Sequence, residues 1–507
     1  MVSPLRTLPN LFPTVVDASP DAGPRVDPTD DHPQEACGVY GVLAPDLDVA
    51  NLTYFGLYAL QHRGQESAGI AVFQGEQVRL HKEMGLVSQV FDHGILARLP
   101  GSLAIGHTRY STTGSSQVCN AQPVVLMTRL GPMAMAHNGN LVNTTALSRA
   151  MVERGMESVS STDSELIALL IQEAVNSGAD WCEALIRAAS CCRGAYSLSI
   201  GTPAGLFALR DPHGIRPLVF GRLADMEQEQ DGWIVSSETC GLDIVGARFH
   251  DAVAPGELIW FRPGATEPDR RRWCKATPRL CVFEMIYFAR PDSTFFDESL
   301  YSYRRRLGKL LAEESPVEAD LVIGVPDSGI PAAIGFSDSS GVPYAEGLVK
   351  NRYVGRTFIQ PGQGVREAGI RLKLNPLPDV LANRRIVVVD DSIVRGSTSR
   401  KIVKALREAG ACQVHMRISS PPVTHPCYYG IDTDTQDQLV AASLSLEEIR
   451  QHLGVDSLAY LSREGMLRAT RQQEHPFCTA CFDGQYPIPL DEETGASKLM
   501  LESMESD

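Results

Sequence analysis

With 507 residues and 43% hydrophobic content, the chain has room for two or three packed domains. Its 46 Lys and Arg face 61 Asp and Glu, a formal net charge of −15, which excludes a surface built to hold nucleic-acid phosphates but not a small phosphorylated ligand held by backbone amides. No run of about 20 apolar residues is available to cross a bilayer, and Pro4, Pro9 and Pro13 break the partly apolar N-terminus, so the chain reads as a cytoplasmic protein without membrane or nucleic-acid partners.

Residues 1–36 are rich in Pro and Asp, lack periodicity and read as a leader. From Cys37 the pattern changes. CGVYGVLA (37–44), SAGIAVF (67–73), SLAIGHTRYS (102–111) and MAMAHNGNLV (133–142) are short apolar runs of the kind that form buried strands. SELIALLIQEAV (164–175) and WCEALIRAAS (181–190) have helical spacing, and AYSLSI, LFALR and WIVSSE return to strand. This pattern predicts an α+β domain over 37–270, two sheets with helices outside, closing at the turn-rich FRPGATEPDRRR (261–272). Over 277–475 strands alternate with helices: DLVIGV (320–325), RIVVVD (385–390) and QVHMRI (413–418) each precede a loop or helix. That alternation predicts an α/β domain with a parallel sheet. Residues 476–507 form a tail with two cysteines.

Cys37, in EACGVYG, is one of 12 cysteines; alone it reads as a buried packing residue. The polar clusters QHRGQES (61–67), GHTRYST (106–112), AHNGNLVN (136–143) and STDSE (161–165) change that weighting. Together they resemble the N-terminal-nucleophile glutamine amidotransferase family. The resemblance implies an αββα glutaminase domain whose mature chain begins at Cys37, with residues 1–36 a removed propeptide. A free α-amine, with pKa about 7.7–8.0, would then serve as the base for the thiol on the same residue. In that family pattern Arg109 takes the α-carboxylate of glutamine and Asp163 its α-ammonium. The Asn138 side chain and the Gly139 N–H hold the oxyanion, and Arg63 and Gly64 shape the pocket wall. Read locally, Asn138-Gly139 is a hairpin turn. The family pattern more often has two acids before the nucleophile, where this chain has Glu35-Ala36.

IVVVDDSIVRGSTS (386–399) is an apolar strand, an acid pair, a glycine loop and a helix start. Asp390 and Asp391 suit ribose hydroxyls and Mg²⁺, and the loop Ser392, Arg395, Gly396, Ser397 and Thr398 suits a phosphate at a helix N-terminus. The bland alternative is a pair of helix-capping acids. The segment resembles the type I phosphoribosyltransferase signature. By that resemblance GVPDSG (324–329) is the diphosphate loop, with Asp327 and Ser328 near the metal. KNRYVGRTFIQP (350–361) is then a flexible loop that brings Lys350, Arg352, Tyr353 and Arg356 over the donor. Ser328, Asp390 and Asp391 would hold one Mg²⁺ per subunit.

Cys478 and Cys481 form C-x-x-C, which alone fits a zinc half-site or a redox pair. With Cys281 and Cys427 the set resembles the bacillar, iron–sulfur type of the glutamine-dependent phosphoribosyl amidotransferases. Spacing leaves zinc open, with His425 and His475 nearby; the resemblance implies one [4Fe–4S] cluster per subunit. It further implies a homotetramer that uses glutamine and 5-phosphoribosyl 1-diphosphate, is inhibited by purine nucleotides, and makes 5-phosphoribosylamine, glutamate and diphosphate in the first committed step of purine synthesis.

Overall fold

The computed structural model describes residues 37–110, 117–156, 158–225, 230–351, 374–431, 433, 435–472 and 476–490. The expected leader, Arg352, Tyr353, Arg356 and His475 lie outside the described residues.

Two antiparallel sheets build the N-terminal half. The seven-stranded sheet runs from Arg248–Ala252 through Val219–Asp225, Gln230–Ser236, Gly38–Leu43, Leu103–Arg109 and Ser67–Gln74 to Gln77–Met84. The six-stranded sheet runs from Asp269–Arg272 through Glu257–Phe261, Gly205–Arg210, Gly194–Thr202 and Gly131–Leu141 to Val124–Thr128. Period-two alternation sorts the side chains. Val39, Leu43 and Ile105 meet Ala134, Ala136 and Ala208 between the sheets, while Tyr40, Val42 and Ile70 turn outward under the helix Val49–Ala59. On the opposite outside, Met133, Met135, Leu198 and Ile200 pack under the helices Asp163–Asn176 and Trp181–Cys191. The result is the expected αββα layering. One local expectation fails: the turn-rich 261–272 segment includes a strand, Asp269–Arg272, paired antiparallel with Glu257–Phe261. Arginines at three successive positions suit an exposed edge strand, whose half-solvated ladder needs no apolar run.

The C-terminal half holds a four-stranded parallel sheet in the order Leu321–Gly324, Arg385–Asp390, Gln413–Ile418, Ser457–Tyr460. Val322, Val387 and Val389 pack on one face with the helices Leu300–Glu314 and Ile330–Ser340. Leu321, Ile323, Ile386 and Val388 pack on the other with Ser397–Glu408 and Leu446–Leu453. Burial on both faces explains why these strands read as unbroken apolar runs.

The tail is not a separate appendage. Phe477–Cys478 pairs in parallel with Leu280–Cys281, and Phe477, Cys478, Ala480 and Ile488 are buried in a core that also takes Val142, Ala195 and Ile215 of the N-terminal half. Among the described residues no helix is long and apolar enough to cross a membrane.

Candidate active sites

Cys37 stands immediately before the strand Gly38–Leu43, and its Sγ donates to the Tyr110 carbonyl at 3.3 Å. Burial pushes the thiol up, partly offset by that hydrogen bond and by Arg109. A thiol so placed needs a base to act as a nucleophile.

Arg109 ends the neighbouring strand, buried, with Nη1 3.9 Å from Glu66 Oε2. Asp163 opens the helix Asp163–Asn176, which Thr162 caps by accepting from the Glu165 N–H. Asp163 Oδ2 accepts from the Leu141 N–H at 3.0 Å, tying the helix start to the strand that carries Asn138 and Gly139.

Asn138-Gly139 is not a turn. Both residues lie inside the strand Gly131–Leu141, opposite Ser197 and Tyr196. Gly139 has φ +147°, and a Cβ there would stand 2.0 Å from the Ala195 carbonyl oxygen. The dipeptide therefore meets its positive φ inside a ladder, where only glycine fits. The Asn138 amide is buried, and neither its nitrogen nor its oxygen has a hydrogen-bond partner among the described residues. Leaving such a group unpaired costs about 1–3 kcal/mol, which fits a side chain reserved for a ligand. Gly139→Ala is expected to lower glutamine hydrolysis by about 10²–10³-fold, the scale of losing an oxyanion donor, with unchanged ammonia-dependent turnover. Steady-state kinetics with each nitrogen source checks this, and an unaltered glutaminase would remove Gly139 from the site.

Gly64 backs the pocket by close approach: a Cβ would stand 2.5 Å from the Thr108 carbonyl carbon. Arg63 is held against the nucleophile's own main chain. Its Nε donates to the Cys37 carbonyl at 3.2 Å, its Nη1 pairs with Glu238, and its Nη2 donates to Glu284 Oε1 at 2.7 Å. Glu238 also accepts from His62 Nε2 at 2.7 Å, Ser293 Oγ at 2.6 Å and the Arg290 N–H at 2.9 Å. Burial alone would raise its carboxyl; His62 and Arg63 instead hold it well below the ordinary carboxylate range. A depressed folded value contributes stability that is complete above the ordinary value near 4.5 and is lost as pH falls through the folded value. Glu238→Gln should therefore destabilise the protein at neutral pH by about 3 kcal/mol and flatten the acid limb below that point. Thermal melts across pH test the sign. Glu238, Glu284 and the buried His137, whose Nδ1 lies 3.0 Å from Ser164 Oγ, were not among the sequence candidates, because nothing local marks them.

The second group of residues collects at the carboxyl ends of the parallel strands. Asp390 ends the strand Arg385–Asp390; its Oδ1 accepts from the Asp391 N–H at 3.0 Å. Burial, then the neighbouring Asp391 charge, pushes the Asp390 carboxyl well up. Asp391 Oδ1 accepts from Ser392 Oγ at 2.6 Å, while its buried Oδ2 has no partner among the described residues. Two adjacent buried carboxylates with an unpaired oxygen fit a cation or ligand hydroxyls. Gly396, left-handed at φ +82°, turns the chain into the helix Ser397–Glu408, whose first turn carries Ser397 and Thr398. Arg395 Nη2 donates to Gln438 at 2.6 Å. Asp327 and Ser328 lie in the loop before the helix Ile330–Ser340, and that loop abuts the acid-bearing strand through the Val325 N–H bond to the Val389 carbonyl, 2.9 Å. Lys350 Nζ reaches Asp327 Oδ2 at 2.6 Å, joining the two exposed side chains.

The four candidate ligand cysteines also come together. Cys281 and Cys478 are direct partners across their parallel strands. Burial raises the thiols of Cys281, to about 11, and of Cys478 and Cys481, and each is raised further by others of the set. Two buried and two half-buried thiols, Cys281 and Cys478 with Cys427 and Cys481, are a donor set of the kind that holds a cationic metal centre. Among the described residues no three His, Cys, Asp or Glu side chains form a group tight enough to hold a single metal ion. His425 adjoins the set through its N–H, which donates to the Cys481 carbonyl at 3.1 Å, while its Nδ1 is 2.9 Å from Thr424 Oγ1.

The glutamine amidotransferase domain family matches residues 107–243. An amidophosphoribosyltransferase of Synechococcus elongatus is 64% identical over 475 residues, 94% of this chain and 96% of the relative. Among solved structures, the glutamine phosphoribosylpyrophosphate amidotransferase of B. subtilis complexed with ADP and GMP superposes with a TM-score of 0.84 at 44% identity, over 90% of this chain and 98% of that one. A structure described as the allosteric regulatory enzyme of purine biosynthesis gives 0.85 at 45% identity, over 90% and 97%. With both halves of the fold matched along nearly its whole length, the chain belongs to the amidophosphoribosyltransferase family.

Proposed function

We propose that the chain releases ammonia from glutamine at Cys37 and passes it to C1 of 5-phosphoribosyl 1-diphosphate at the Asp390–Asp391 site, giving 5-phosphoribosylamine, glutamate and diphosphate as the first step of purine synthesis. The observation that carries the reading is the pairing of two sites in one chain: a buried Cys37 thiol with a buried, unpartnered Asn138 amide, and an acid pair at the carboxyl edge of a parallel sheet.

In this mechanism the Cys37 sulfur attacks the glutamine amide carbon. Arg109 and Asp163 hold the two ends of the amino acid, and Asn138 with Gly139 stabilises the oxyanion. The base is the Cys37 α-amine once the bond to Ala36 is cut, because an acylated nitrogen cannot take the proton. At the second site Asp390 and Asp391 bind ribose hydroxyls, and the 396–398 helix start holds the 5-phosphate. Asp327, Ser328 and Lys350 face the diphosphate. Mg²⁺, held by Ser328, Asp390 and Asp391 together with donor oxygens, would supply charge to the leaving diphosphate. Tyr353 and its loop are proposed to close over the donor and keep water out.

The cysteine quartet is proposed to hold a [4Fe–4S] cluster, a structural group that ties the tail to the phosphoribosyl domain and to that domain's N-terminal edge. Cys281, Cys427, Cys478 and Cys481 would hold it through their thiolates. The assembly is proposed to be a cytoplasmic homotetramer, inhibited by purine nucleotides as the ADP and GMP of the B. subtilis complex suggest.

One experiment tests these parts together: intact mass, visible spectrum and glutaminase rate of the purified protein, with and without the phosphoribosyl donor. The expected protein starts at Cys37, is brown, and releases glutamate faster with donor present. An active enzyme that retains residues 1–36 would overturn the processing step, and a colourless one with stoichiometric zinc would overturn the cluster.

A further inference from the structure

A buried chain of alternating charges runs between the glutamine site and the cysteine quartet, and neither site's chemistry requires it. Arg63 holds the Cys37 carbonyl and donates to Glu284 Oε1 at 2.7 Å. The same oxygen accepts from Arg216 Nη1 at 2.9 Å, and Arg216 Nε donates to the Tyr429 carbonyl at 3.0 Å. Arg63, Glu284 and Arg216 are at most 1% exposed.

Arg216 stands next to the thiols along two backbone routes. The Cys281 N–H donates to the carbonyl of Ile215, the preceding residue, at 3.0 Å. The Tyr429 N–H lies 3.4 Å from Cys427 Sγ. Gly430 completes the junction, for a Cβ there would stand 3.1 Å from the Gly139 carbonyl carbon and 3.3 Å from Arg216 Nη2. The strand that carries the oxyanion residues thus touches the loop that carries Cys427; Asn140 Nδ2 adds a bond to the Tyr428 carbonyl at 3.0 Å. Arg216 Nη2 and Glu284 Oε2 are buried without hydrogen-bond partners among the described residues. Glu284 also opens a π-helical turn, Glu284–Phe288, closed by the Ala289 N–H on the Glu284 carbonyl at 3.0 Å, a local form that concentrates at functional sites.

A fully buried Arg–Glu–Arg set is weak as a source of stability, since apolar residues of the same volume would avoid its desolvation. Its value lies in fixing geometry. We infer that Arg216 and Glu284 are positioning residues that join the cysteine quartet to Cys37: Arg216 directs its Nη2 N–H at the ligated sulfurs, and through Glu284 and Arg63 it sets the main chain of the nucleophile. The inference rests on the iron–sulfur reading for its first half only.

Arg216→Lys and Glu284→Gln keep size at each position, and both are made in the mature full-length enzyme. The readouts are the cluster midpoint potential, followed through the visible band, and the separate kcat and KM for glutamine. Arg216→Lys loses a donor to sulfur and should lower the potential. Glu284→Gln removes a nearby negative charge and should raise it. Both should lower glutaminase kcat about tenfold or more, with KM changed less than about twofold, because the thiol is misplaced and not the glutamine clamp. Unchanged potentials, with kcat falling only in step with the folded fraction, would overturn the relay. A parent enzyme without the visible band would sink the cluster reading alone, and the kcat–KM split would still decide the link to Cys37.

Discussion

Cys37→Ala is expected to abolish glutamine-dependent ribosyl transfer, by about 10⁴-fold or more, the scale of removing a covalent nucleophile. Transfer from free ammonia should stay within about twofold of the parent. The split follows from the architecture. Cys37 heads a strand of the seven-stranded antiparallel sheet, while the acid pair ends a strand of a separate four-stranded parallel sheet. Among the described residues, losing the thiol removes its hydrogen bond to the Tyr110 carbonyl. The Arg63 bond to the Cys37 carbonyl involves main chain and survives the substitution. Parallel assays with glutamine and with ammonium salt measure both activities. Equal loss of the two would mean that Cys37 is needed for the fold and not as a nucleophile.

The reverse pattern is expected for Asp390→Asn. Ribosyl transfer from either nitrogen source should fall by about 10²–10³-fold, since charge at the developing ribosyl cation and its leaving group is the main lever at such a site. Donor-independent glutamine hydrolysis should persist at its basal rate, and its stimulation by the donor should disappear. Asp390 is buried against Asp391, and both press on the same space. Neutralising one relieves repulsion, so the variant should be at least as stable as the parent without ligand. A melting point that holds while transfer collapses separates binding from folding. Retained transfer would leave the pair as capping acids.

Much of this fold was legible in the chain because each half carries its own period. Strands of the N-terminal half alternate between two cores, and those of the C-terminal half are apolar throughout because both faces are covered. Where a local reading and the structure part, one cause recurs. Asn138-Gly139 resembles a turn when read locally, but its backbone is set by Tyr196 and Ser197 across the ladder. Arg63 sits in a polar loop, and its partners Glu238 and Glu284 are brought to it from far along the chain. In the Arg-rich 269–272 segment, which pairs as an edge strand, Arg270 meets Glu257 of the paired strand and Asp251 of the other sheet's edge strand. Local propensity carries no record of such partners. The cysteine quartet is intermediate: its members could be picked out, but the direct pairing of Cys281 with Cys478 depends on a parallel strand that no spacing rule supplies.

That short parallel pairing also sets an order of assembly. Leu280–Cys281 and Phe477–Cys478 are joined only after the whole phosphoribosyl half has been synthesised between them. Closing so long a loop is slow, and it rewards the chain only at the end. The core shared by Val142, Ala195 and Ile488 remains open until then. A nascent chain can therefore complete its antiparallel sheets early, yet the seat behind Gly139 is finished only when Gly430 and the tail arrive. A residue near the start of the chain is thus seated only when its last described strand arrives, so a fragment that stops short of residue 477 should accumulate without glutaminase activity.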